Sequence, residues 1–215
     1  MCASFLVWLH ACEGRDDLAA ACAADAMARC DLLAQPSTRG FVETVLSTWY
    51  DFVGDHASAE PHARVVIHLA AEQGMPHWDA QAQITLGWSF VGRPEKGDGA
   101  ATMRSAIGAL TGIGTFASMS FYYAGLAEAE LAAGRWKASG DALAAGLAYV
   151  ERSDERIFEA GLYTLAGRLA FAESDRDRAR GSFEHALSVG RAQGAEGLVR
   201  RTLAAMHAVG ITEGD

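Results

Sequence analysis

Residues 126–146 read LAEAELAAGRWKASGDALAAG, and this stretch decides the fold. Leu126 to Ala133 consists of alanine, leucine and glutamate, all strong helix formers, and the run stops at Gly134. A glycine after a helix takes the left-handed conformation that ends it. Arg135-Trp136 leads into a second alanine-rich run, in which Ser139, Leu143 and Gly146 stand four and three residues apart. That spacing keeps one face toward a neighbouring helix, and small residues on it allow close approach. The stretch predicts a helical hairpin.

The same turn recurs along the chain, at Gly14-Arg15-Asp16, Gly54-Asp55-His56, Gly92-Arg93-Pro94, Gly134-Arg135-Trp136 and Ser174-Asp175-Arg176. The spacings are 40, 38, 42 and 40 residues. A second series of breaks falls midway, at Gln35-Pro36-Ser37, Gly74-Met75-Pro76, Gly112-Ile113-Gly114, Ser153-Asp154 and Gly194. Two alternating turn series with helical pattern between them mean stacked hairpins. Five residues after each turn mark stands a small residue: Ala19, Ala59, Gly97, Ser139 and Ala179. Four further on are Ala23, Ala63, Ala101, Leu143 and Phe183, and three beyond those Ala26, Val66, Arg104, Gly146 and Ala186.

From these signals helices are expected at about 2–13, 16–34, 38–53, 57–73, 77–91, 95–111, 116–133, 137–152, 156–173, 176–193 and 196–208. The segment 95–111 departs most from the pattern. It carries Gly97, Gly99 and Gly108, each of which costs about 1 kcal/mol of helix relative to alanine. The four prolines are read as marking segment edges. The fold class expected is all-α: an α-α superhelix of about five helical hairpins plus a terminal helix, spanning 1–215 as a single array.

Gly167 followed by Ala179, Phe183 and Ala186 resembles a tetratricopeptide (TPR) hairpin, with a period longer than the usual repeat of about 34 residues. Leu86-Gly87-Trp88 before Gly92-Arg93, Leu126-Ala127-Glu128-Ala129 before Gly134-Arg135, and Val150 to Arg156 extend the likeness. They resemble the helical-repeat tails of large bacterial signalling proteins, over residues 70 to 205 above all. In such proteins similar repeats follow an ATPase module, often with an adenylate cyclase domain, or belong to LuxR-type regulators. The resemblance implies a cytoplasmic TPR-like solenoid that binds a protein or peptide partner or an effector, or serves attached signalling domains. It equally implies the alternative of a segment of a nucleotide cyclase or ATPase whose catalytic domains lie outside this chain, or of a transcriptional regulator. The apolar start, Phe5 to Leu9 with no cap before it, is read as the interior of a longer array, because terminal repeats need a polar outer face.

Composition narrows the function further. A net charge of −9 argues against a nucleic-acid binder, which needs a basic stripe to displace counterions from phosphate. The positive charge is nearly all arginine, with Lys96 and Lys137 the only lysines. No run approaches the ~20 apolar residues of a membrane span. The stretch Ser4 to Cys12 superficially resembles a lipoprotein leader but lacks basic residues, so it is read as repeat core. Cys2, Cys12, Cys22 and Cys30 form no Cys-x-x-Cys and are expected as free thiols.

No residue set promises chemistry. Gly97 to Thr102 and Gly108 to Gly114 are rich in glycine, yet a phosphate loop needs a preceding strand, and a P-loop also needs Gly-Lys-Ser/Thr. The seven histidines lack His-Glu-x-x-His, and no Gly-x-Ser-x-Gly elbow occurs. The expectation is a non-enzyme with no cofactor, metal or catalytic residue. Placing each hairpin on the TPR pattern aims Thr48, Asp51, Phe52, Asp79, Phe90, Glu128 and Arg168 into a concave groove. The lysine and asparagine set with which TPR domains clamp a C-terminal carboxylate is missing, so a chaperone-tail adaptor is disfavoured.

Overall fold

The computed structural model describes residues 2–214, with side chains from Ser4 onward, and among them it is all-helical. The eleven helices are α1 (Cys2–Cys12), α2 (Asp16–Leu33), α3 (Pro36–Val53), α4 (His56–Gln73), α5 (Pro76–Trp88), α6 (Gly99–Gly112), α7 (Met119–Ala132), α8 (Trp136–Ser153), α9 (Glu159–Ala172), α10 (Arg176–Ala192) and α11 (Glu196–Ala208). None of the described helices is long and apolar enough to cross a membrane.

Both turn series end helices as expected. Gly14, Gly54, Gly92 and Gly134 have φ between 71° and 82°, and Ser174 takes the same left-handed region at 66° without glycine's freedom. Asp55, Asp98 and Asp175 then cap the following helices, accepting from the N–H of Ser58, Ala101 and Arg178. The reading of proline as an edge marker fails at Pro61, which lies inside α4.

The chain divides into two compact units. One comprises the residues up to Ala11 and Arg15–Phe116, the other Cys12–Gly14 and the residues from Ala117 onward. In the first, α3 packs on α4, α5 on α6, and α5 also on both α3 and α4. In the second, α7 packs on α8 and α9 on α10, with α9 also against α7, α8 and α11. Ala170, Ala179, Phe183, Leu187, Val199 and Met206 form the centre of a core there. Each large apolar side chain withdrawn from water in this way contributes about 1.5–3 kcal/mol.

Burial follows a strict forty-residue period along the even-numbered helices. Ala19, Ala59, Gly99, Ser139 and Ala179 are all buried, as are Ala23, Ala63, Met103, Leu143 and Phe183, and Ala26, Val66, Ala106, Gly146 and Ala186. The third hairpin corrects the sequence reading. Gly97, Ala101 and Arg104 are exposed there, and Gly99, Met103 and Ala106 take the slots. A 3-10 turn, Pro94–Lys96, replaces the first turn of α6, so counting five residues from Gly92 stops two short. Gly97 leaves that turn with φ 121° and ψ −172°, a region open essentially to glycine alone. Beyond it, α5 and α6 touch backbone to backbone. A Cβ on Gly99 would stand 2.1 Å from the Gly87 carbonyl oxygen.

Candidate binding surfaces

The proposed groove residues meet different fates. Thr48, Asp51 and Phe52 are buried. The Thr48 hydroxyl donates to its own helix, at 2.9 Å from the carbonyls of Thr44 and Val45. Asp51 accepts from His56 Nδ1 at 2.9 Å, and the Phe52 ring meets Trp8 edge-on at 5.3 Å. The reason lies in α3, which buries Val45 through Trp49 without interruption and so has no free face there. Asp79 and Phe90 are half-buried, and the Asp79 carboxylate lies 3.5 Å from Gln83 Nε2.

Glu128 on α7 and Arg168 on α9 do come together. Arg168 Nη1 donates to Glu128 Oε1 at 2.5 Å, with the Arg168 side chain 38% and the Glu128 side chain 19% exposed. On the same helix, the α9–α11 contact carries a hydroxyl bond between Thr164 and Thr202 at 2.7 Å. Glu128–Arg168 is therefore an accessible charged bridge across two adjacent helices of the second unit.

Two clusters escaped the sequence reading. Glu43 on α3, 1% exposed, accepts from Arg39 Nε on one carboxylate oxygen and from His62 Nδ1 of α4 on the other, both at 2.5 Å. The His62 ring stacks on Tyr50 at 5.4 Å. The carboxylate thereby joins α3 to α4. Nearby, burial pushes the Cys30 thiol up.

Glu60 of α4 gathers three cations. Arg64 Nη2 reaches Oε1 at 2.8 Å, Lys96 Nζ the same oxygen at 3.3 Å, and Arg93 Nη2 reaches Oε2 at 2.6 Å. Arg64, with Arg93 and Lys96 behind it, holds the carboxyl down at about 2 from an ordinary 4.5, against the opposing effect of burial. Only Glu60–Arg64, four residues apart on one helix, was legible from spacing. The other two partners come from the irregular connection between α5 and α6.

Gly97 to Thr102 is the turn into α6, and Gly108 and Gly112 lie within that helix, so neither glycine-rich stretch follows a strand. Among the described residues no three His, Cys, Asp or Glu side chains are grouped to hold a metal ion. Cys12, Cys22 and Cys30 are free thiols. The chain matches no protein-family model, and no curated protein matches it in sequence.

Proposed function

We propose that this chain is a non-catalytic binding scaffold, a TPR-like solenoid of about five hairpins and a terminal helix that takes a protein, peptide or effector on its odd-numbered helices. One observation carries this reading: the slots that pack the even-numbered helices recur every forty residues with small or apolar side chains buried in each. Most residues of the odd-numbered helices α7 and α9 are buried, and a few stay partly accessible. On them, the accessible Glu128–Arg168 bridge is the charged feature that a partner meets, with half-buried Tyr123 and Tyr163 on the same two helices. The scaffold is cytoplasmic and works for attached signalling domains, as the resemblance implies.

The test is capture of interacting proteins by the wild-type chain and by a Glu128→Ala/Arg168→Ala variant of equal helicity. Loss of a defined set of partners in the variant supports the assignment, and equal capture of every partner by both removes it. Catalysis by the purified chain that vanishes on Glu43→Gln or His62→Ala, with helicity unchanged, would overturn the non-enzymatic reading.

A further inference from the structure

Glu60 and its three cations do more than fasten α4 to the α5–α6 connection. We propose that Arg64, Arg93 and Lys96 form a recognition site for a phosphate dianion, free or as a monoester. Three positive charges converge on one carboxylate, an excess of two. In the same turn Glu95 is exposed, and Asp98 directs its carboxylate to the Ala101 N–H at 3.1 Å.

Donors remain on the outer side of the cluster. Arg64 gives Nε and Nη2 to Glu60, which leaves Nη1 for a ligand. Lys96 uses one of its three hydrogens on Glu60. Arg93 spends Nη2 on Glu60 and Nη1 on the Ser89 carbonyl at 3.2 Å, which leaves Nε–H. Glu60 is 8% exposed, whereas the Arg64, Arg93 and Lys96 side chains are 55%, 26% and 37% exposed. The carboxylate is thus the least exposed member of the cluster, and the cations that it holds in place reach water. Fixed guanidinium donors suit phosphate oxygens, which accept several charge-assisted bonds at once.

The forty-residue repeat supplies an independent argument. Glu60 corresponds to Ala20, Ala100, Gly140 and Arg180, so no other hairpin has a carboxylate at this position. The 3-10 turn that brings Lys96 over it is the departure already seen in α6. Other hairpins make the same connection with Gly54-Asp55 or Gly134-Arg135 alone, so the extra turn is not required for packing. The ligand's size follows from the surroundings. A chain of net charge −9 repels an extended polyanion such as nucleic acid or an anionic membrane, and a compact dianion needs only the local excess.

The experiment follows the Arg64 and Arg93 Nε–H and the Lys96 Nζ signals by NMR. Inorganic phosphate and O-phosphoserine are titrated in turn, at constant ionic strength set with chloride. Saturable shifts at these groups with either ligand are expected, in the millimolar range, and the tighter ligand tells whether the free or the esterified form is the source. Arg64→Gln/Lys96→Gln retains Arg93 as partner for Glu60, and it should bind at least tenfold more weakly with its helicity kept. Should that variant lose helicity, Lys96→Gln alone takes its place, with at least threefold weakening expected. Shifts that stay linear with both ligands, or equal affinity in variant and wild type, overturn the proposal.

Discussion

Replacing Glu60 by Gln isolates the electrostatics of the α4–α5–α6 cluster. A carboxyl held at about 2 in the folded chain against an ordinary 4.5 corresponds, at about 1.4 kcal/mol per pH unit, to an upper limit near 3 kcal/mol. Arg64 is more than half exposed and Lys96 more than a third, so water screens part of this, and about 1–2 kcal/mol remains. Glu60→Gln forfeits that contribution and leaves three cations facing one another. The expected loss at pH 7 is about 2 kcal/mol, a fall in Tm of about 4–8 °C. The sign of the pH dependence follows from the lowered value. Glu60 stabilises the fold fully above about pH 4.5, and this is lost as pH falls toward 2. The other carboxylates titrate alike in both proteins, so the difference between their urea midpoints reports Glu60. That difference should hold from pH 7 to about pH 5 and shrink from there to pH 3. A difference that stays constant over this range, or is under about 0.5 kcal/mol at pH 7, would refute the reasoning.

Five further substitutions probe the packing. Gly99→Ala sets a methyl 2.1 Å from a backbone oxygen that cannot swing away, and it should lower stability by about 2–4 kcal/mol in urea unfolding. Ala59→Leu and Ala179→Leu overfill slots that are 0% exposed and should each cost about 1–3 kcal/mol, whereas Leu32→Ala, at an 87% exposed site, should change stability by less than about 0.5 kcal/mol. Glu155→Ala removes an acceptor at the start of α7, where Ser118 N, Ser120 N and Ser120 Oγ donate at 2.8, 3.0 and 2.6 Å; about 1–2 kcal/mol should be lost, with faster hydrogen exchange at the Ser118 and Ser120 amides.

The helices were legible because each is bounded by residues whose local chemistry ends or starts one. Gly54-Asp55 does this between α3 and α4, with glycine left-handed and aspartate capping. Local signals failed where a longer-range arrangement decided. The start of α6 was set too early because Pro94–Lys96 looks helical in sequence and closes as an isolated 3-10 turn. The burial of Thr48, Asp51 and Phe52 on α3 escaped local signals for a different reason. A helix packed on several sides has no polar stripe, and Ser47 and Thr48 are accommodated inside by donating to carbonyls of their own helix. Glu43 and Glu60 were missed because His62, Arg93 and Lys96 lie 19, 33 and 36 residues away from them, beyond any pattern of helical spacing.

One position of the repeat changes character between the two units. Thr48, Trp88, Glu128 and Arg168 stand forty residues apart. In the first unit both residues are buried, Thr48 at 7% and Trp88 at 3% exposure. In the second the same position carries the Glu128–Arg168 bridge, partly open to water. An accessible ion pair contributes at most about 1 kcal/mol, less than a buried apolar side chain at the same place. Stability alone would therefore favour apolar residues at 128 and 168. A Glu128→Leu/Arg168→Leu variant should fold as well as the wild type or better, which separates the two roles: partner binding lost while the urea midpoint holds or rises assigns the bridge to recognition, whereas a fall of the midpoint by more than about 1 kcal/mol would return it to the architecture.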